Sequence, residues 1–417
     1  MIERVAYVSM HTSPLHLPGS GDAGGMNVYL DRLARTMAGR GVDVTVFTRR
    51  ADADAPTVTE VREGYRVVQI EAGPVERLPI ADLVGLTSTF ADNLTGWVAD
   101  RAATFDVVHS HYWLSGRAGV RVKRALDIPL ANSFHTLGKV KDAARAASEA
   151  PSSDERLLTE EGVIAHSDCV IASTPFEFDE LLEHYAASPE RLCVSPPGVD
   201  HAVFSPGPRH DARRRLDIEE NTPVVLYAGR IQPHKGTAVA VRAFADLARS
   251  GGKAAGRCLL HIVGGASGAA GGAEVETCMA IAKEAGIEDR IRWFEPVPHP
   301  VLADHYRAAD VVVVPSRSES FGLVAAEAQA CGIPVVASNA GGLPYVVDAS
   351  ESGLLVDGND PVAFAAAIRA ILEHPSFAER LGQGAVAFAQ KFSWDATATR
   401  MLELYDGIVA SAKNRDG

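Results

Sequence analysis

The sequence is poor in the features that mark export, metal capture or binding to a charged polymer. Of 417 residues only five are cysteine (Cys169, Cys193, Cys258, Cys278 and Cys331), and none forms a C-x-x-C pair. A disulfide framework is thereby disfavoured, and the thiols read as small buried hydrophobes in a reducing compartment. A basic surplus is missing too: 40 Lys and Arg face 53 Asp and Glu, for a net charge of −13. Bulk nucleic-acid binding needs the opposite balance. A local Arg/Lys pocket for a small anion is still compatible with an acidic chain. No apolar run approaches the roughly 20 residues that span a bilayer. The opening MIERVAYVSMHTSP lacks the basic stretch and long apolar run of a secretory signal. The expected location is the cytoplasm, with docking to a membrane surface left open. Two nucleotide fingerprints are also absent. Residues 19–25 read GSGDAGG, which is not G-x-G-x-x-G, and no Gly-Lys-Ser/Thr follows.

What the sequence does hold is length and a repeated pattern. A chain of 417 residues suits two domains of roughly 200 each. Residues 4–10 (RVAYVSM), 42–48 (VDVTVFT), 105–109 (FDVVH), 129–133 (PLANS) and 169–172 (CVIA) read as short buried strands. Between the first two, residues 28–40 read as a helix with apolar Val28, Leu30, Leu33, Ala34 and Met37. The pattern restarts with strands at 223–228 (PVVLYA), 259–264 (LLHIVG), 291–294 (IRWF), 311–315 (VVVVP) and 334–337 (PVVA). Strands alternating with helices imply parallel sheets covered on both faces. The predicted fold is α/β: two doubly wound, Rossmann-like domains, residues 1–200 and 201–395, facing a central cleft. Residues 196–209 (PPGVDHAVFSPGPR), dense in Pro and Gly, form the linker. Residues 394–412 read as an amphipathic helix, and by fold analogy the final segment, 396–417, crosses back to the first domain. Ligands of such sheets bind beyond the carboxyl ends of the strands.

The chemistry-bearing residues fall in those loops. Gly21, Gly24 and Gly25 lie between a strand and a helix, where glycine lets backbone N–H groups approach an anion or a sugar; a tight turn would use them equally. His109, His111 and His135, with Tyr112 and Thr136, end two strands of the first domain, so at least one imidazole is expected to face a ligand. The three histidines come from separate stretches without a supporting Cys or H-E-x-x-H pattern, so no metal site is expected. In the second domain, Gly229-Arg-Ile-Gln-Pro-His-Lys-Gly places Arg230 and Lys235 five residues apart on a strand-end loop. A guanidinium fork and an ammonium point charge fit a diphosphate, although surface ion pairing is the plainer alternative. Residues 316–328, SRSESFGLVAAEA, carry Glu319 and Glu327 eight apart. Glu319 precedes the predicted helix, 322–329. Ser320, Phe321, Gly322 and Leu323 offer backbone N–H groups at its N-terminus to a phosphate. Glu327 lies one to two turns inside, on an alanine-lined face, where a ribose diol would give the carboxylate two donors.

The E-x7-E stretch, G-R-x4-K-G, the first Gly-rich loop and the two-lobed plan together resemble the retaining family-4 glycosyltransferases of GT-B fold. Residues 11–29 (HTSPLHLPGSGDAGGMNVY), 109–116 (HSHYWLSG) and 134–141 (FHTLGKVK) are similar to the subfamily that glycosylates inositol phosphate at the start of mycothiol synthesis. They are more distantly similar to sucrose-phosphate and sucrose synthases. The resemblance implies a hexosyl transfer, of GlcNAc or glucose, from a UDP-sugar to a small polyol or sugar. Arg230 and Lys235 would compensate the leaving diphosphate, Glu319 and His135 would contact the transferred sugar, Gly25 would lie against the diphosphate, and Glu327 would hold the ribose. Asn27, Tyr112 and Thr136 would line the acceptor side. The chain departs from the subfamily where the acceptor's phosphate would meet cations: Ile80 and Leu157 stand at those positions, with Arg77, Lys139, Lys141 and Arg156 near enough in sequence to compensate. No metal cofactor is implied as required, Mg2+ near the diphosphate is left open, and so is a homodimer.

No carboxylate besides Asp22, itself a good turn residue, is evident as a nucleophile in the first domain. The resemblance therefore implies front-face attack, in which positioning and electrostatics do the catalysis. Three other readings compete. A GT-B epimerase would need no acceptor, a two-lobed sugar-binding protein would be exported, and a dinucleotide oxidoreductase would carry the missing glycine fingerprint. Within the transferase reading, a lipid or sugar-phosphate acceptor is the alternative to a simple polyol.

Overall fold

A computed structural model describes residues 1–145, 149–252, 254–268 and 270–413. The first sheet comprises β1 (Arg4–Val8), β2 (Asp43–Arg49), β3 (Val58–Arg62), β4 (Tyr65–Ile70), β5 (Val107–His111), β6 (Leu130–Ser133), β7 (Cys169–Ala172) and β8 (Leu192–Val194). Their spatial order is β3-β4-β2-β1-β5-β6-β7-β8, parallel throughout except for the β3–β4 hairpin. The second sheet comprises β9 (Val224–Ala228), β10 (Leu259–Val263), β11 (Ile291–Phe294), β12 (Val311–Val314), β13 (Val335–Ser338) and β14 (Gly353–Val356). Its order is β11-β10-β9-β12-β13-β14, all parallel. This is the two-lobed, doubly wound GT-B arrangement.

The strands follow from burial on both faces. VVLYA of β9 and VVVV of β12 are buried at every residue, which is why they run continuously apolar rather than alternating. β3, at the rim, has no buried residue, and its VTEVR composition suits an exposed edge. The helix Gly25–Ala38 buries Val28, Leu30, Leu33, Ala34 and Met37 against the first sheet. Four strands were not legible: β3, β4, β8 and β14 are polar, alternating or very short. One was displaced. The strand expected at 105–109 is β5, Val107–His111, because its polar end is satisfied in the interior: Ser110 Oγ donates to Asn132 Oδ1 at 2.7 Å, and both nitrogens of His109 have hydroxyl partners.

Each sheet reverses its winding once, between β1 and β5 and between β9 and β12. The crevices at these switch points face each other. The lobes are joined by two adjacent stretches of chain. Val199 bridges Ser393, and Gly198 lies so close to Trp394 that a Cβ would come within 2.2 Å of its backbone nitrogen. Phe392 still belongs to the second lobe's core. The helix Trp394–Lys413 then lies on the first lobe, its Trp394, Ala398, Met401, Tyr405 and Ile408 clustered with Tyr7, Leu30 and Leu33. All five cysteines are free. No described helix is long and apolar enough to cross a membrane.

The crossing gives a paired test. Gly198→Ala forces a methyl onto the backbone of Ser393 and Trp394, which cannot rotate away, and should cost about 1–3 kcal/mol by overpacking. Gly407→Ala, in the same terminal helix with open space around it, should be neutral or stabilising by about 0.5–1 kcal/mol. Urea midpoints followed by circular dichroism check both; equal midpoints for the two variants would contradict the crossing.

Candidate active site

The cleft between the lobes encloses about 410 Å³, within the range of about 300–1,000 Å³ usual for small-ligand sites. Its walls are the strand-end loops of the two switch points. The lobes touch around it: Ser320 Oγ donates to the His135 carbonyl at 2.7 Å and Thr174 Oγ1 donates to the Ser320 carbonyl at 3.2 Å, while Arg32 pairs at 2.6 Å with Asp200 of the linker.

On the second-lobe wall, Lys235 Nζ sits 2.8 Å from Glu319 Oε2, and Ser316 Oγ donates to the same oxygen at 3.3 Å. Burial works to raise the Glu319 pKa, but Lys235, by charge and hydrogen bond, together with His234 and Ser316, outweighs it and leaves the carboxyl below its ordinary value. The loop that carries Glu319 is held by a Gly-Gly step. A Cβ on Gly341 would lie 2.3 Å from the Glu319 carbonyl oxygen, and one on Gly342 equally close to that of Ser320. Arg230 lines the cleft with its side chain against the first lobe, where a Cβ on Gly24 would approach Nε to 3.2 Å. Gly25 faces Leu323 across the same contact.

Ser320, Phe321, Gly322 and Leu323 lead into the helix Leu323–Ala330, with Gly322 at φ +108° as its N-cap. Only glycine holds that conformation without strain. The phenyl ring of Phe321 turns into the second lobe's core against Phe392, so Phe321 can serve the cleft only through its backbone. Glu327 is 5% exposed and accepts a hydrogen bond from Tyr306 Oη at 3.0 Å. Burial pushes its pKa up to about 8, with Tyr306 and Arg32 pulling the other way.

On the first-lobe wall stand Asp22, Tyr112, His135, Thr136 and Arg156. Tyr112 and His135 end β5 and β6 with φ of +78° and +59°, conformations costly for non-glycine residues and concentrated at functional sites. Arg156 lies with its guanidinium 5.3 Å from the Tyr112 ring centroid, pairs with Glu160 at 2.8 Å, and donates to the Thr136 carbonyl at 2.9 Å.

Other residues singled out in the sequence lie elsewhere. His109 and His111 are fully buried within β5, not on its end loop. His109 is a core histidine held by Tyr405 Oη at 2.6 Å and Ser133 Oγ at 2.9 Å. Asn27 is 1% exposed and pins the Gly-rich loop from beneath: its Oδ1 accepts from the Gly24 N–H at 2.9 Å, and its Nδ2 donates to Thr12 Oγ1 and the Ser13 carbonyl. Lys139 is directed away from the cleft, its Nζ on Glu161 and the His184 carbonyl and over the Tyr185 ring. Arg77 is exposed outside the cleft, and Leu157 packs at Gly138. Ile80 and Lys141 do line the cleft.

The sequence reading passed over His11, which follows β1 at the switch point. Its ring lies 4.8 Å from that of Tyr112, its Nδ1 is sealed from solvent without a partner among the described residues, and burial with Arg230 and His135 nearby lowers its pKa to about 3. Its place at the end of the first strand was the available signal. Among the described residues, no cluster of three His, Cys, Asp or Glu could hold a metal ion.

Comparison with known proteins agrees with the two-lobed fold. Residues 208–387 match the family described as glycosyl transferases group 1, and residues 24–198 match the glycosyl transferase 4-like domain. A D-inositol 3-phosphate glycosyltransferase of Thermomonospora curvata is 44% identical over 413 residues, covering 97% of this chain and 96% of that protein. One from Thermobispora bispora is 45% identical over 408 residues, covering 97% and 94%. Among solved structures, sucrose-phosphate synthase from Thermosynechococcus elongatus superposes with a TM-score of 0.90 at 33% identity, over 98% of this chain and 100% of that one. Anabaena Alr3699/HepE in complex with UDP and glucose shares the fold, with a TM-score of 0.77 at 19% identity over 97% and 100%.

Glu327 supplies a pH test on the ligand-free protein. Its folded pKa, about 8, lies above the ordinary 4.5, so the protonated carboxyl favours the folded state. That contribution is complete below about pH 4.5 and is lost as pH rises through about 8. Glu327→Gln stays neutral, so its melting temperature should gain on the parent by a few degrees between about pH 5 and about pH 8.5. A constant difference across that range, in calorimetric scans, would contradict the burial argument.

Proposed function

This chain belongs to the group 1 glycosyl transferases, enzymes of two-lobed GT-B fold, and from that premise we propose that it moves a hexosyl group, GlcNAc or glucose, from a UDP-sugar to a small polyol or sugar with retention of configuration. The observation that carries the reading is the second-lobe wall. Arg230, Lys235 and the residues 320–323 before the helix all line the cleft, as do Glu319, paired with Lys235, and Glu327. A diphosphate there meets two cations and a helix N-terminus, the ribose meets Glu327, and the sugar lies between Glu319 and His135.

The reaction then runs by front-face displacement. The acceptor hydroxyl oxygen bonds to the anomeric carbon as the bond to the β-phosphate oxygen breaks. The hydroxyl proton passes to a phosphate oxygen on the same face, and UDP leaves. Among the described first-lobe residues on the cleft wall, Asp22 is the one carboxylate, and this reading gives it no nucleophile's role. Charge growing on the diphosphate is met by Arg230, Lys235 and the N–H groups, fixed beforehand by the Lys235–Glu319 pair and the Gly341-Gly342 step. No step is assigned to a metal ion. This reading places the enzyme in the cytoplasm and leaves a homodimer open.

The acceptor side is defined by Ile80, Tyr112, Thr136, Lys141 and Arg156. An anionic group on the acceptor would be met by Arg156 and Lys141, because Ile80 carries no charge and Arg77 and Lys139 face elsewhere. The curated relatives are named for inositol 3-phosphate, which makes that compound the first acceptor to test.

Mass spectrometry of products from a panel of nucleotide-sugars and acceptors is the direct experiment. A new UDP-sugar formed without acceptor would indicate an epimerase instead, and glycosylation of lipid alone would replace the polyol. Arg230→Ala should lower kcat by about 10²–10³-fold, the loss typical of one transition-state donor. Lys235→Ala should do likewise while leaving Glu319 without its counter-charge. Near-parental turnover in Arg230→Ala would refute the diphosphate assignment. Lys141→Met should raise KM for inositol phosphate about tenfold or more, as expected for a lost charge-assisted contact, and leave KM for inositol unchanged. Equal effects on the two acceptors would remove Lys141 from the site.

A further inference from the structure

We propose that His111, sealed beneath the cleft, is a positioning residue: it donates a hydrogen bond from Nδ1 to His135 Nε2 and so leaves His135 with its proton on Nδ1, as a hydrogen-bond donor to the ligand. The proposal deepens the transferase reading above and rests on it for the identity of the ligand, but not for the tautomer itself.

The two imidazoles approach at 3.0 Å, His111 Nδ1 to His135 Nε2, with ring planes only 23° apart, so the contact is an in-plane N–H···N bond. Of the two nitrogens one must donate and the other accept. Both rings are neutral at ordinary pH: burial lowers His111 well below its usual value and His135 to about 3. Two neutral arrangements remain, and the far side of His111 separates them. His111 Nε2 is out of solvent and has no partner among the described residues; the ring is enclosed by His109, 4.0 Å away between centroids, and by Tyr7 and Tyr29. Were His135 the donor, His111 would accept at Nδ1 and carry its own proton on Nε2, leaving a buried N–H with no acceptor. With His111 as donor, Nε2 bears only a lone pair. Orphaned buried N–H groups are rarer than under-satisfied acceptors, and they carry the full desolvation penalty. The second arrangement is therefore favoured.

The consequence reaches the cleft. With Nε2 committed to His111, Nδ1 is the ring nitrogen left for the ligand, and it is protonated. His135 then selects an oxygen with a free lone pair, such as a sugar hydroxyl, and cannot act as a base there. Its backbone is held as firmly as its ring, at φ +59° with its carbonyl accepting from Ser320 Oγ at 2.7 Å.

The test is a two-bond ¹H–¹⁵N spectrum of full-length, ligand-free protein labelled with ¹⁵N-histidine, with His135 and His111 signals assigned by single substitution. The expected result is a protonated Nδ1 and bare Nε2 on both rings. A protonated Nε2 on His135 overturns the proposal whatever the substrate proves to be. His111→Leu, checked for folding by circular dichroism, should mix the His135 tautomers and lower kcat about tenfold with little change in donor KM. His111→Asn, whose amide can place an N–H near Nδ1, should restore both. A His111→Leu protein with an unaltered His135 signal and parental kcat overturns it as well. If that variant does not fold, the parental spectrum still decides.

Discussion

The crossing of two backbone segments at Gly198 and Trp394 is the constraint on which the site depends. Each lobe alone offers a switch-point crevice, but a cleft exists only where the two crevices face each other. The close approach at Gly198 locks the outgoing and returning chains together. The helix Trp394–Lys413 then ties the return to the first lobe's own core. Its Tyr405 reaches His109 inside β5, so the segment that closes the molecule also packs beneath the strand leading to Tyr112. Contacts between the lobes include the polar bond from Ser320 to His135 and the apolar packing of Leu323 against the first lobe.

Within that frame the cleft separates its charge from that of the whole protein. The chain carries −13 overall, yet the cleft is positive where a diphosphate would lie. Lys235 neutralises Glu319, burial holds Glu327 toward its protonated form, and Arg230 and Lys141 make no ion pair among the described residues. In a partly enclosed, low-dielectric space such charges act far more strongly than on an open surface.

How much was legible depended on whether a residue's role is local. Arg230, Lys235, Glu319 and the Ser320–Leu323 stretch could be placed on the cleft wall from the sequence because each belongs to a strand–loop–helix unit whose geometry is set within a dozen residues. Asn27 and Lys139 stand in equally suggestive stretches, in the first turns of the helices Gly25–Ala38 and Gly138–Ala144, but are consumed by neighbours: Asn27 by Thr12, Ser13 and Gly24, and Lys139 by Glu161 and the His184 carbonyl. No pattern along the chain reveals such competition. His109 and His111 were misplaced because the sequence suggested a strand ending two residues early; with β5 running on to His111, both lie inside the buried strand rather than on its end loop. His11 was passed over because its significance comes from Tyr112 and Arg230, about 100 and 200 positions away.

By itself, the sequence determined the layered α/β plan, the two-lobe division and the loops that carry cations and carboxylates. These follow from the buried periodicity of strands and helices and from Gly and Pro, which act through nearest neighbours along the chain. Only the tertiary structure decided which polar side chains remain available to a ligand. Availability is settled by partners distant in sequence, as when Glu161 claims Lys139 and Tyr405 claims His109, and by burial, which moves Glu327 to about 8 and His135 to about 3. Both depend on distances in space, and those exist only once the two sheets have been brought face to face.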